Sequence, residues 1–175
     1  MVRRGKGGVT FRGVIIVRKD SGIEGVRDLI GKKVSIVSVH SAGGFMAQRA
    51  LLKEKGIDVY SDLFLTEARD NKEENVILEV VKRRADAGFV GEEALGRTSK
   101  EDRDVLKVIA YTEEIPNWVF GAHKSVPMGV RKKVKEALLG IPMGDPTLQA
   151  AEVEAFVEIP QGLLERYWRE VEGRR

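Results

Sequence analysis

Val34-Ser35-Ile36-Val37-Ser38-Val39-His40-Ser41-Ala42-Gly43-Gly44-Phe45 is the stretch that decides the fold. Its first half, Val34-Ser35-Ile36-Val37 within Lys33 to Ser38, reads as a strand. Its second half opens a helix: Ala42, Phe45, Met46 and Ala50 fall at i, i+3, i+4 and i+8, so one face from Ala42 to Lys55 is apolar, and Gly56 ends it. A strand that hands over to a helix through Ser41-Ala42-Gly43-Gly44 presents unpaired backbone N–H groups and the positive end of a helix dipole to whatever approaches. An anion could bind there. The competing reading is that Ser41 is the N-cap and Gly43-Gly44 make room for the helix on the sheet. The segment lacks the Gly-Lys-Ser/Thr of a P-loop and the spacing of a dinucleotide fingerprint, which argues against nucleotide binding.

The same alternation extends outward. Phe11 to Val17 ends in Val14-Ile15-Ile16-Val17, a strand buried on both faces. Ile23 to Ile30 suggests a short helix stopped by Gly31. Downstream, Val76, Ile77, Val80 and Val81 mark a helical face. Ala85 to Val90 reads as a strand, Glu92 to Gly96 as a short helix, and Val105 to Tyr111 and Trp118 to Ala122 as two strands joined through Thr112 to Asn117. Two amphipathic faces close the chain, Val130-Val134-Ala137-Leu138 and Leu163-Leu164-Tyr167-Trp168-Val171, separated by Pro142 and an Asp145-Pro146 helix start. The predicted class is α/β, a mostly parallel sheet with crossover helices. The expected divisions are a basic tail over 1–10, an α/β ligand-binding lobe over 11–124 and a helical segment over 125–175.

The 175 residues are 42% hydrophobic and 33% charged, enough to build a core, and no apolar run approaches the roughly 20 residues that a membrane helix needs. There is no cysteine, and the two histidines, His40 and His123, are far apart, so disulfides, thiolate chemistry and a metal centre are not expected. Arg3, Arg4, Lys6, Arg12, Arg18 and Lys19 precede the first acid; these six cations in a chain of formal charge +3 leave the rest at −3. The basicity is local to the start, which argues for a solvated terminus and against a nucleic-acid platform. The start does not read as a secretory signal.

No catalytic constellation emerges. His40 lies in the strand-to-helix loop without an acid or nucleophile at a recognisable spacing and reads as a polar contact. Glu92 and Glu93 could be paired carboxylates or the usual acidic complement to a helix start. Glu67 to Glu74 reads as a solvated loop entering a helix. Trp118, beside Pro116 and Asn117, reads either as core or as the amphipathic lining of a cleft.

Taken in order, Val14-Ile15-Ile16-Val17-Arg18-Lys19-Asp20-Ser21-Gly22-Ile23, Asp28-Leu29-Ile30-Gly31-Lys32-Lys33-Val34, Ser41-Ala42-Gly43-Gly44-Phe45, Ala85-Asp86-Ala87-Gly88 and Ile115-Pro116 resemble the phosphonate-binding family of solute receptors, from about Phe11 to Leu139. The resemblance implies a type II two-lobed periplasmic-binding-protein fold, a periplasmic or extracellular setting, no cofactor and a membrane permease as partner. Ser41 to Phe45, Pro116-Asn117-Trp118 and the stretch from Pro142 to Pro160 look closer to the branch used as sensor domains of tetrathionate-type histidine kinases, which would make a kinase the partner. It also implies that most of a first lobe is missing ahead of the crossing strand.

Against the family's Ser-Thr-Ser-Gly run stand Ser41, Ala42, Gly43 and Gly44, so two hydroxyl donors are gone. The family's loop histidine falls near Glu73, its tyrosine before the crossing strand is Phe11, and its aspartate after Ile-Pro falls near Trp118. The candidate ligand residues are therefore Ser41, Ala42, Gly43, Gly44, His40, Phe11, Glu73, Glu93 and Trp118. The expected function is a non-enzymatic receptor that closes by a hinge on a small anion or polar solute, with altered contacts that weaken phosphonate binding. The alternatives are a lyase or cofactor-biosynthesis enzyme on the same fold, or a truncated module without ligand. The uncovered C-terminal faces point to a homodimer.

Overall fold

The computed structural model describes residues 1–4 and 8–165. Its strands are β1 (Val2–Arg3), β2 (Thr10–Arg18), β3 (Lys33–Ile36), β4 (Phe64–Glu67), β5 (Ala87–Gly91), β6 (Leu106–Pro116) and β7 (Ala155–Phe156). Its helices are α1 (Ala47–Glu54), α2 (Val59–Asp62), α3 (Glu73–Val81), α4 (Glu92–Arg97), α5 (Lys100–Asp104), α6 (Met128–Leu139) and α7 (Pro146–Ala150). Two units divide the chain, one holding residues 12–114 and the other 1–11 together with the chain from 115 onward.

In the first unit a five-stranded sheet runs in the order β4-β3-β5-β2-β6. β3 is parallel to both β4 and β5, whereas β2 is antiparallel to β5, with Val14 opposite Val90 and Ile16 opposite Gly88. The α/β class holds, and the sheet is mixed. Side chains of β2 alternate between two cores, as a strand covered on both faces requires. Ile15 and Val17 join Leu29, Val34, Ile36, Phe45, Leu52 and Phe89 on one face, and Val14 and Ile16 join Val76, Ile77, Val80, Val90 and Leu106 on the other.

The second unit contains the two-stranded pair of β1 and β7 and a small core of Val2, Leu148 and Val153. The basic start is thus not a solvated tail: Val2 is buried, and its amide donates to the Trp118 carbonyl at 2.9 Å. An apolar residue among cations is enough to anchor a terminus when its neighbours cover it. The Asp145 cap forms as expected, its carboxylate accepting from the Thr147 amide at 2.8 Å.

Several local expectations are corrected. The helix expected at Ile23 to Ile30 is one 3₁₀ turn, Val26–Leu29, with the Asp28 carboxylate accepting from the Glu24 and Gly25 amides. β6 runs on through Thr112 to Pro116, so that connection is strand. Trp118 to Ala122 forms no strand; Trp118, Val119 and Phe120 are all exposed, and no alternating face is buried. β4 lies in a stretch to which the sequence assigned no element, apart from Glu67 at its end, with Leu65 packing on the core while Phe64 stays exposed. Of the last amphipathic face, Tyr167, Trp168 and Val171 lie outside the described residues.

Candidate functional site

The site is built at the end of the sheet where β3 and β5 finish. After Ile36 the chain turns through Ser38 and Ser41, the Ser41 amide donating to the Ser38 carbonyl at 3.0 Å, and the Glu67 carboxylate at the end of β4 accepts from the Val39 amide at 2.9 Å. The helix does not begin as an α-helix. Ala42–Met46 form a wide π turn: the Met46 amide reaches the Ser41 carbonyl at 2.9 Å and the Ala47 amide reaches Ala42. Such turns leave the backbone one residue looser than α geometry and recur at functional sites.

Ser41 caps this turn, its Oγ accepting from the Gly44 amide at 3.1 Å, and its own hydroxyl proton has no acceptor among the described residues. Gly43 and Gly44 are buried, Ser41 and Ala42 half-buried, and His40 exposed. A methyl group at Gly44 would strike the Val37 side chain and come within 2.9 Å of Ser41 Oγ, so only glycine lets the turn lie this close to β3. Capping and close packing are therefore both realised, and the Gly44 amide is shared with Ser41 before any ligand arrives.

Carboxylates and cations gather beside the end of β5. Glu73, first residue of α3, accepts from the Gly91 amide at 2.7 Å through Oε1 and pairs with Arg97 at 3.0 Å through Oε2. Glu73 and Glu67 thus act as acceptors near the two ends of the run from Glu67 to Glu74, while Arg69 to Lys72 between them are exposed and lead into α3 as expected. Glu93 lies half-buried in the first turn of α4. Its neighbour Glu92 makes a two-pronged pair with Arg12, at 2.6 and 3.0 Å, and the Arg12 guanidinium also lies 4.4 Å from the centre of the Tyr111 ring. The hydrogen bond to Arg12 holds the Glu92 carboxyl below the usual carboxylate range, and the same bond raises the guanidinium.

Within this unit the structure brings together His40, Ser41, Ala42, Gly43 and Gly44 as one turn, with Glu73 and Glu93 at the end of β5. Phe11 and Trp118 belong to the other unit. Trp118 is 56% exposed, with the Arg4 guanidinium 4.9 Å from its ring centre. Sequence reasoning missed Arg12, Glu92 as its partner, and Gln48. An arginine two residues before Val14 in a strand, with Glu92 directly after the paired strand, was the signal available for the first two. Gln48 looked like an ordinary helix residue.

A family model described as the periplasmic substrate-binding protein of a phosphonate ABC transporter matches residues 1–161. The chain belongs to the phosphonate-binding family of periplasmic substrate-binding proteins. Solved structures agree in fold, which is that of the type II periplasmic binding proteins. The protein XAC2383 of Xanthomonas citri, bound to ATP, matches with a TM-score of 0.81 at 18% identity over 99% of this chain and 69% of its own. A binding-protein component of a phosphonate ABC transporter from Pseudomonas aeruginosa matches with 0.73 at 16%, over 99% of this chain and 61% of its own. PhnD1 of Prochlorococcus marinus, in complex with methylphosphonate, matches with 0.73 at 14%, over 94% of this chain and 66% of its own. The chain thus spans about two thirds of the length of these relatives.

Proposed function

We propose that this chain is the ligand-binding part of an ABC-transporter receptor for a small anionic solute, working in the periplasm and delivering its ligand to a permease. The observation that carries the reading is the glycine-built turn at Ser41–Gly44, which brings backbone and a hydroxyl proton without an acceptor among the described residues to the end of β3. That is the arrangement an oxyanion needs. Transport is favoured over kinase sensing because the matching family and the P. aeruginosa relative are both described as components of phosphonate ABC transporters. A receptor role is favoured over an enzymatic one because three of the four carboxylates around the site are engaged, Glu67 by Val39, Glu73 by Gly91 and Arg97, and Glu92 by Arg12, which leaves Glu93 without a second free carboxylate to work with among the described residues.

The ligand contacts differ from the family pattern. Ala42 and Gly43 offer no hydroxyl, and each lost hydroxyl contact costs about 1 to 3 kcal/mol. Phosphonate binding is therefore expected in the millimolar range or weaker. Titration calorimetry with methylphosphonate, 2-aminoethylphosphonate, inorganic phosphate and ATP tests both statements. The expected result is measurable binding of at least one oxyanion that Gly44→Leu abolishes; no binding from the whole panel, or an unchanged affinity in Gly44→Leu, overturns the site. Submicromolar affinity for 2-aminoethylphosphonate overturns the altered contacts. The uncovered face of α6, with Met128, Val130 and Val134 exposed, supports the homodimer expectation, and sedimentation at two concentrations tests it.

A further inference from the structure

Gln48, in the first turn of α1, has no exposed surface. The other buried polar residues have partners: Ser35 donates to Glu79, Thr112 accepts from Gly13 and donates to Glu113, and Asn117 donates to the carbonyls of Gly8 and Thr10; half-buried Thr66 also has a hydroxyl oxygen without a partner among the described residues, but it holds nothing in the turn. Gln48 is different. Its Nε2 lies 2.6 Å from the Gly43 carbonyl, 3.1 Å from that of Val90 and 3.2 Å from that of Val14, so two N–H groups are divided among three acceptors. Its Oε1 is buried without a hydrogen-bond partner among the described residues. A methionine or leucine would fill the same core space without an orphaned carbonyl, so the amide is there for what its nitrogen holds.

What it holds is the turn. Val14 and Val90 face each other on β2 and β5, and Gly43 is the second residue of the π turn, so one side-chain amide ties the turn to two strands at the middle of the sheet. Glycine makes room for it: a Cβ at Gly13 would collide with the Gln48 amide and lie 2.8 Å from the Gly43 carbonyl. Opposite Gly13 in register stands Gly91. We propose that Gln48 is a positioning residue that fixes the Ala42–Met46 turn in its wide form and thereby sets where Ser41, Gly43 and Gly44 meet a ligand. The ligand half of this statement rests on the function proposed above; the structural half does not.

The test separates the two. Hydrogen exchange is followed in the full chain for the amides of residues 42–47, with those of α3 as internal reference, in Gln48→Met, Gln48→Glu and Gly13→Ala. The last variant leaves Gln48 in place and displaces its amide, which keeps the test decisive if either Gln48 variant fails to fold. Expected is at least a tenfold rise in exchange over 42–47 in every folded variant, with less than a twofold change in α3. No rise over 42–47, or a uniform rise through the unit, overturns the positioning role. Calorimetry with whichever of methylphosphonate, inorganic phosphate or ATP binds the unaltered protein should then show at least a tenfold loss of affinity in the same variants, below their melting temperatures. Unchanged affinity in a variant with raised exchange overturns the ligand half alone. If none of the probes binds the unaltered protein, the proposed function fails and the exchange result still decides the role of Gln48.

Discussion

α3 and α6 read alike in the sequence and end differently in the structure. Each carries an apolar face at helical spacing, Val76-Ile77-Val80 in one and Val130-Val134-Leu138 in the other. α3 buries Val76, Ile77 and Val80 against the sheet of its unit, whereas α6 has no buried residue, with Val130 48% and Val134 52% exposed. Periodicity shows that a helix has an apolar side; it says nothing of whether the described chain supplies the surface to cover it. α3 has such a surface because β5 offers Gly88, where the backbone of the sheet comes within touch of the helix.

That contact gives the largest expected effect. A Cβ at Gly88 would lie 2.8 Å from Val76, 3.0 Å from Val80 and 3.2 Å from Ile16, three fully buried branched side chains of one core. Gly88→Val should therefore destabilise the protein by about 3 kcal/mol through overpacking, and Val76→Ala by about 2 kcal/mol through lost burial and a cavity. Urea unfolding measures both. Losses below about 1 kcal/mol in both variants would mean that α3 is no better packed than α6, and the contrast would collapse.

How much was legible follows the same division. β2, β3, β5 and α3 could be read because buried strands and a covered helix leave apolar residues at fixed periods, and the two faces of β2, Val14-Ile16 and Ile15-Val17, are each buried in a core. β4 escaped because its Phe64 is exposed and its end, Glu67, is polar; its place in the sheet comes from pairing with β3, which no local pattern announces. The strand expected at Trp118 to Ala122 failed for the converse reason, an apolar composition whose side chains stay exposed. At the site, Ser41 and the two glycines were readable as a helix start, since capping is a local interaction. Arg12–Glu92 and the three acceptors of Gln48 join residues far apart in the chain, and only the folded register brings them together.

An intermediate effect is expected at the Arg12–Glu92 pair. The folded state holds the Glu92 carboxyl below its ordinary range, so its stabilisation is present at neutral pH, persists above the unfolded carboxylate range near pH 4, and is lost as pH falls through the lower folded value. Both side chains are partly exposed, which screens the pair and limits its worth to under about 1 kcal/mol. Glu92→Gln should lower stability slightly at pH 7 and leave it unchanged at pH 2, so that the two acid-unfolding curves converge. Curves that stay parallel down to pH 2 would show that the carboxylate is not favoured in the fold.

The smallest effect is expected on α6. Replacing Val130 and Val134 together by serine removes apolar surface that is about half exposed already, so little burial is lost, and serine and valine are nearly equal in helix propensity, so the helix itself is little affected. At protein concentrations low enough to hold the chain monomeric, the double variant should unfold within about 1 kcal/mol of the unaltered protein, against about 2 kcal/mol for the single change at Val76. At high concentration the comparison sharpens. If a second copy covers the face, the unaltered protein gains stability with concentration by mass action and the double variant does not. A loss well above 1 kcal/mol in dilute protein would show that the face is covered within one chain, and would erase the difference between the two helices from which the contrast began.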